Sequence, residues 1–383
     1  MKKILFTILL SMILIGCSSQ TNEVIDNPIE DETPEVIIEP NVTVSFNAVG
    51  DNLIHGAIYG DNTYKTAEGL NFNAIYTHMK PYIQNADISY LNQETILGGT
   101  EMGLSHYPAF NSPHEIGDAV FETGFDWINH ATNHTLDRGA TAVFNTLNYW
   151  DQHPNVTVSG IARNQEEADR IQIIERKGMK FGVLAYTYGT NGIPVPTGQD
   201  YLVNLIDKDK IEADIKKLEP HVDALLVSMH WGSEYNFNYN EEQADLAQFL
   251  ADLNVDVIIG THPHVIQPVE TIKGRNGNDT LVIYSLGNFL SAQDVNYRML
   301  GGYVSWDMEF NPNDQTKQIK NIVFMPVINH YQNGYRDFKI YPLKDYTDAL
   351  ANQHGLAASQ DVSVSYFKNL VDQVIKDAVK IDY

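Results

Sequence analysis

The chain has one cysteine in 383 residues, Cys17, so no disulfide can form within it and the fold must rest on a packed core. It is also poor in cations. Lysine and arginine number 25 against 49 aspartates and glutamates, a net charge of −24. Such a balance excludes a general affinity for nucleic acid, which needs a basic surface. An anionic ligand would need a local cationic site, and bound metal ions supply one. There is no glycine-rich phosphate loop of the Walker kind and no internal repeat. Ser285 has no paired base in the pattern, which speaks against serine catalysis. What is present suits a globular protein: 43% hydrophobic and 19% charged residues, in a chain long enough for one large domain or two smaller ones.

The first residues read as a targeting segment. Met1-Lys2-Lys3 is basic, and Ile4 to Ile15 is almost unbroken apolar sequence. That run is shorter than the roughly 20 residues of a membrane-spanning helix. Leu14-Ile15-Gly16-Cys17 resembles a bacterial lipoprotein lipobox, which implies cleavage before Cys17 and lipid attached to it. The alternative is an uncleaved anchor with a chance cysteine. Both place the folded part outside the cytoplasmic membrane, and the first makes membrane lipid a partner through Cys17. Residues 18–40 follow as a spacer. They carry seven acidic residues from Glu23 to Glu39, no lysine or arginine, and Pro28, Pro34 and Pro40. Such a segment is expected to be a disordered, extended tether.

From Asn41 the pattern becomes that of a folded domain. Val42, Val44, Phe46 and Ala48 alternate with polar residues and predict a strand running into Gly50-Asp51-Asn52. Helices are predicted over 72–84, 113–122, 139–150, 207–218 and 241–253. Strands are predicted over 86–91, 125–128, 224–229 and 255–260, with a hairpin turn at Arg176-Lys177-Gly178-Met179. Beyond them 280–286, 302–310 and 319–325 read as consecutive strands. The pattern opens as alternating strand and helix and closes as strands, so we expect one α/β domain with two packed sheets over 41–330. Residues 331–383 are expected to form a C-terminal extension with an amphipathic helix over 362–379.

The chemistry-bearing residues stand just after the apolar runs. Asp51 follows the first strand, Asn92 and Glu94 the second, Asn133 and His134 the third. His230 ends a later strand, and His262 and His264 follow the next, in Ile258-Ile259-Gly260-Thr261-His262-Pro263-His264. In α/β sheets ligands bind past the carboxyl ends of strands. Carboxylate, amide and imidazole together suit divalent Mn, Fe or Zn. There are more donors than one tetrahedral ion uses, which points to two metals sharing a carboxylate. His130 reads as a buried structural histidine and His114 as an exposed one. His106 is a candidate for the site entrance. Trp231 and Tyr235 could stack on substrate or simply pack over the site.

The segments GDNLIH, ADISYLNQET, GFDWINHATNHTLDRG, LLVSMHWGSEY, VIIGTHPHV and IYSLGNF resemble, in order, bacterial capsule-synthesis proteins of the CapA or poly-gamma-glutamate synthesis type. That family is itself similar to calcineurin-like metallophosphoesterases. The resemblance implies a four-layer α/β/β/α sandwich. It further implies Asp51 and His264 on a first metal, Glu94 as the bridging carboxylate, and Asn133, His230 and His262 on a second. His134 would act as phosphate ligand or general acid, with Asp137 orienting it. Asn92 is a further ligand or a hydrogen-bonding support, and Asn288 a pocket-shaping residue. The sequence departs from the phosphoesterase pattern at Leu53, where a histidine is expected, leaving the first site a ligand short. His55 is the candidate substitute. The implied function is a two-metal hydrolase acting on phosphoesters or related bonds in capsule or poly-gamma-glutamate biosynthesis. Two alternatives stay open: a non-catalytic accessory or anchoring subunit partnered by the capsule polymer synthesis machinery, and a surface-binding lipoprotein with a structural metal.

Overall fold

The computed structural model describes residues 39–375 and 379–383. The signal segment, Cys17 and all but the last residues of the tether lie outside the described residues. Among those described, no helix is long and apolar enough to cross a membrane.

Two sheets form the centre of the body Pro40–Tyr383. The chain begins with β1 (Val42–Asn52), β2 (Ile88–Asn92), β3 (Trp127–Asn129) and β4 (Thr157–Ser159). It continues with β5 (Ile173–Arg176), β6 (Met179–Thr187), β7 (Ala224–His230) and β8 (Val257–Thr261). Then come β9 (Val269–Lys273), β10 (Asp279–Ile283) and the short β11 (Asn288–Leu290). β12 (Leu300–Asn311), β13 (Thr316–Gln332) and β14 (Arg336–Pro342) follow. The first sheet runs β14-β13-β12-β1-β2-β3-β4, and the second β9-β10-β8-β7-β6-β5. β1 to β4 are parallel, as are β6, β7, β8 and β10. In the first sheet β12, β13 and β14 form an antiparallel side that joins at β1, and in the second the antiparallel strands β5 and β9 are the edges.

The sheets face one another across an apolar layer. Phe46 of β1 stands edge-on to Phe181 of β6 at 5.0 Å and stacks on Trp306 of β12 at 5.3 Å. Tyr90 of β2 reaches across to Ser228 of β7 with 2.7 Å between oxygens. Side chains alternate along a strand, so Ser89 points the other way, and its hydroxyl donates to the carbonyl of Ile83 in the outer helical layer. In β7, Leu225, Val227 and Met229 likewise point away from the first sheet. They pack against α3 (Lys208–Leu218) and α4 (Glu241–Asp252) through Ile211, Ile215, Leu246 and Leu250. With α1 (His114–Thr123) and α2 (Gly139–Trp150) the result is helices, sheet, sheet, helices: the α/β/β/α order.

Several elements differ from expectation. The helix expected over 72–84 is two single turns, Asn73–Tyr76 and Lys80–Ile83. Pro81 explains the break, because it has no N–H and its ring clashes with the carbonyl four residues back. Residues 331–342 are not separate from the domain: β13 runs on through Gln332 and β14 is an edge strand of the first sheet. The C-terminal helix, α5, spans Val364–Val374 and buries Phe367, Val371 and Val374; residues 376–378 lie outside those described.

Candidate metal centre

The first strand delivers its aspartate by means of a bulge. Ala48 pairs with Tyr90 and Val49 with Leu91, but Asn92 pairs with Asp51, so Gly50 is the extra residue. An inserted residue reverses the alternation beyond it and turns Asp51 inward with Asn92. Only glycine fits there, since a Cβ on Gly50 would lie 1.9 Å from the carbonyl oxygen of Gly287. That carbonyl accepts from the Asp51 N–H at 2.8 Å. Gly260 has the same function at the end of β8, where a Cβ would stand 2.0 Å from the Tyr284 carbonyl.

Past β8 the chain turns sharply. His262 has φ 98° and His264 φ 58°, left-handed values that cost a non-glycine residue about 1–3 kcal/mol each and persist only where the surroundings impose them. The turn is pinned on both sides. The His262 N–H donates to Asp51 Oδ1 at 3.3 Å, and the Pro263 carbonyl accepts from the Tyr235 N–H at 2.7 Å.

The strand ends of both sheets thereby meet at one rim. His264 Nδ1 lies 3.0 Å from Asp51 Oδ2, and His264 Nε2 lies 3.6 Å from Glu94 Oε1. His230 Nε2 lies 2.9 Å from Asn133 Oδ1 and 4.0 Å from Glu94 Oε1. The rings of His230 and His262 are 4.9 Å apart. Donor atoms within 4.8 Å of one another form three groups: Asp51, Glu94 and His264; Glu94, His230 and His262; and Glu234, His262 and His264. The first two share Glu94. Metal–ligand bonds are about 2.0–2.3 Å for these donors, so such spacings are compatible with a shared cation.

Around the donors is a polar frame. Asn92 donates to Asp51 Oδ1 at 2.8 Å and accepts from Asn129 at 2.8 Å. His230 Nδ1 is 2.9 Å from the Thr261 hydroxyl, which leaves Nε2 to face the cluster. Asn288 Oδ1 lies 3.1 Å from His264 Nδ1. His134 Nδ1 is 2.7 Å from Asp137 Oδ2, whose carboxylate also accepts from the Phe110 N–H at 2.7 Å. Asp137 acts from an irregular run of turns rather than from a first helical turn, since α2 begins at Gly139.

The electrostatics single out Glu94. It is 1% exposed, and neither carboxylate oxygen has a hydrogen-bond partner among the described residues; the same holds for His262 Nδ1. Burial pushes the Glu94 carboxyl well above the usual range, and Asp51 pushes the same way while His264 opposes. Burial pulls His264 down, but Glu94 and Asp51 outweigh it and raise its imidazole to about 9. Burial holds His230 and His262 well below the ordinary imidazole value, helped by neighbouring histidines. Neutral imidazoles beside buried unpaired carboxylate oxygens suit a divalent cation, since an uncompensated buried charge costs several kcal/mol.

A cavity of about 580 Å³ opens above the cluster, lined among others by His55, Phe110, His134, Asn191, Tyr235 and His264. Asp51, Glu94, His230, His262 and His264 thus come together, with Asn133 beside His230 and Asn92 supporting Asp51. His55 does not join any donor group. Its Nδ1 lies 3.1 Å from the Leu53 carbonyl and 3.2 Å from the Ala292 N–H, so it belongs to the cavity wall. His130 is buried and accepts from the Trp150 indole at 2.9 Å. His114 is half-buried rather than exposed, stacked on Tyr149. Trp231 donates to the Tyr284 carbonyl in the second sheet's outer layer, away from the cavity. Sequence reasoning missed Glu234, Thr261 and Asn129. Thr261 is the last residue of β8, directly before His262, so strand-end position could have found it; Glu234 lies in the loop four residues past β7.

The chain is similar to several known proteins. A family described as "Bacterial capsule synthesis protein PGA_cap" matches residues 45–293. PGA biosynthesis protein CapA of Bacillus subtilis (strain 168) is 25% identical over 278 residues, covering 68% of this chain and 67% of that protein. Capsule biosynthesis protein CapA of Bacillus anthracis is 26% identical over 268 residues, covering 66% of this chain and 61% of that one. Among solved structures, the calcineurin-like phosphoesterase YfkN from Bacillus subtilis has a TM-score of 0.46 at 14% identity, over 87% of this chain and 98% of the YfkN chain.

Proposed function

The chain belongs to the bacterial capsule synthesis protein family PGA_cap, and from that membership we propose that it is a hydrolase that depends on two divalent cations. Its target is a phosphoester or related bond met in capsule or poly-gamma-glutamate biosynthesis. The observation behind this reading is Glu94, a buried carboxylate with no hydrogen-bond partner for either oxygen among the described residues, shared by two donor groups, one with Asp51 and His264 and one with His230 and His262. Mn, Fe or Zn would suit these donors: Asp51, Glu94 and His264 would hold one ion, and Glu94, Asn133, His230 and His262 the other. Such ions polarise a phosphoryl oxygen and lower the pKa of a water.

The chain's own residues supply the rest. His134 has Nδ1 fixed by Asp137, so its Nε2 edge is the one that can pass a proton to a leaving oxygen in the cavity. Phe110 stands edge-on to the His134 ring at 4.7 Å and limits its rotation. The neutral His230 and His262 offer lone pairs without competing protons.

The test is metal analysis of the purified protein with a p-nitrophenyl phosphate assay in added Mn. Bound metal with activity lost in His262→Ala supports the reading; no bound metal and no turnover overturn it. One observation favours a second reading, an accessory subunit of polymer assembly and export. Leu53 presents an apolar side chain to the cavity and offers no donor. On that reading a capsule-producing strain carrying His262→Ala and His264→Ala keeps its capsule while the deletion strain loses it. We further place the protein outside the cytoplasmic membrane, held by lipid on Cys17. Cys17→Ser should then release it from the membrane fraction, and continued sedimentation with membranes would contradict the lipid anchor.

A further inference from the structure

We propose that Glu234 is the outermost ligand of the cation held by Asp51, Glu94 and His264, a role that rests on the metal-dependent reading above. Those three residues give three donors, whereas tetrahedral and larger shells need at least four. Leu53 contributes none. A Glu234 oxygen lies within 4.8 Å of ring nitrogens of both His262 and His264. It is the exposed member of that group, whereas both histidines are buried. It therefore approaches His264 from the cavity, whose wall it helps form.

The position is built into the fold rather than reached by a free side chain. Glu234 follows β7 in a loop fastened to the turn that carries both histidines. The next residue, Tyr235, is left-handed at φ 64° and donates its N–H to the Pro263 carbonyl at 2.7 Å. Gln267 holds the far side of the loop, donating to the carbonyls of Asn236 at 2.8 Å and Asn238 at 3.1 Å. Gln267 in turn accepts from Gln243 of α4 at 2.8 Å. Arg298 lies over the Tyr235 ring at 3.5 Å and fixes its outer face. The loop and the turn that carries the histidines are thus tied together, with Glu234 on their exposed, cavity-lining side. A carboxylate at this place would add a donor to that ion, and Glu234 and His134 line the same cavity.

The experiment is calorimetric titration of Mn into the chelator-stripped full chain, comparing wild type, Glu234→Gln and Asp294→Asn, a charge loss elsewhere on the exposed surface. Wild type should show two binding steps. Glu234→Gln should weaken one of them by at least about tenfold, the scale on which even supporting groups act, and leave the other unchanged. Asp294→Asn should leave both unchanged. Because Glu234 is exposed, the metal-free melting temperature of its variant should equal that of wild type, which separates ligand loss from misfolding. If wild type binds two ions and Glu234→Gln matches it, or if both variants weaken binding equally, the assignment fails and the metal-dependent reading survives. If wild type binds no ion, both fail together.

Discussion

Replacing Glu94 by glutamine separates the cost of burying this side chain from what it does for a cation. The substitution keeps shape and removes charge. In metal-free protein, both oxygens are buried without a partner and Asp51 lies in the same donor group. Burial raises the Glu94 pKa, so the folded state holds the proton more tightly than the unfolded one. Ionising Glu94 therefore destabilises the metal-free fold progressively as pH rises above the ordinary carboxylate range. Glutamine removes that dependence. At pH 7.5 with chelator, Glu94→Gln should be as stable as wild type or more so, by up to about 1–3 kcal/mol. In Mn the order reverses. A ligand at a hundredfold excess over its Kd adds about 2.7 kcal/mol per site, a rise in Tm on the order of 5 °C for a domain of this size. Glu94 belongs to both donor groups, so the variant should lose most of the rise. Scanning calorimetry of the two proteins, with chelator and with Mn, reads all four values. An equal Mn-induced rise in both would refute the bridging role. A large fall in metal-free Tm would show instead that His264, 3.6 Å away, offsets the cost of burying the Glu94 charge.

Other outcomes follow from the same geometry. His134→Gln should lower kcat on p-nitrophenyl phosphate by about 10²–10⁴ while Mn content stays the same, and Asp137→Asn should displace the pH profile. Loss of metal in either would show that they hold the ion instead. Gly50→Ala should cost at least about 1–3 kcal/mol, because its Cβ would meet the Gly287 carbonyl at 1.9 Å; an unchanged Tm would contradict the bulge. Burial lowers His130 and His330 to about 3 and His354 to about 4, so the unfolded chain binds their protons first as pH falls. Their contribution is complete above about pH 6.5 and lost below it, roughly 2 kcal/mol per histidine by pH 5. Metal-free Tm should fall steeply over that interval, and a flat profile would count against these burials.

Much of the site was legible because its residues stand at strand ends. Asp51, Glu94, His230, His262 and His264 each follow an apolar run, and parallel strands bring such positions to one edge. The helices with clear signals at their ends also match closely. Asp207 caps α3 by accepting from the Lys210 N–H, and Asn240 and Gln243 form a reciprocal cap on α4. What was not legible depended on pairing. The bulge at Gly50 exists only once β1 has β2 and Gly287 beside it. β14 was missed because an edge strand is recognised by its partner, and its sequence, Arg-Asp-Phe-Lys-Ile-Tyr-Pro, is half polar. By spacing alone His55 is a substitute ligand, but it joins none of the donor groups and lines the cavity instead. Glu234 carries no local signal beyond its distance from His230, and its relation to His264 appears only when the Tyr235–Pro263 hydrogen bond is known.

The most direct test is anomalous diffraction at the Mn, Fe and Zn edges from crystals of the protein grown without chelator. Two peaks flanking Glu94, one against Asp51 and His264 and one against His230 and His262, are the predicted result. A map with no peak among these side chains, or with Glu94 hydrogen-bonded to protein groups in place of a cation, would contradict it.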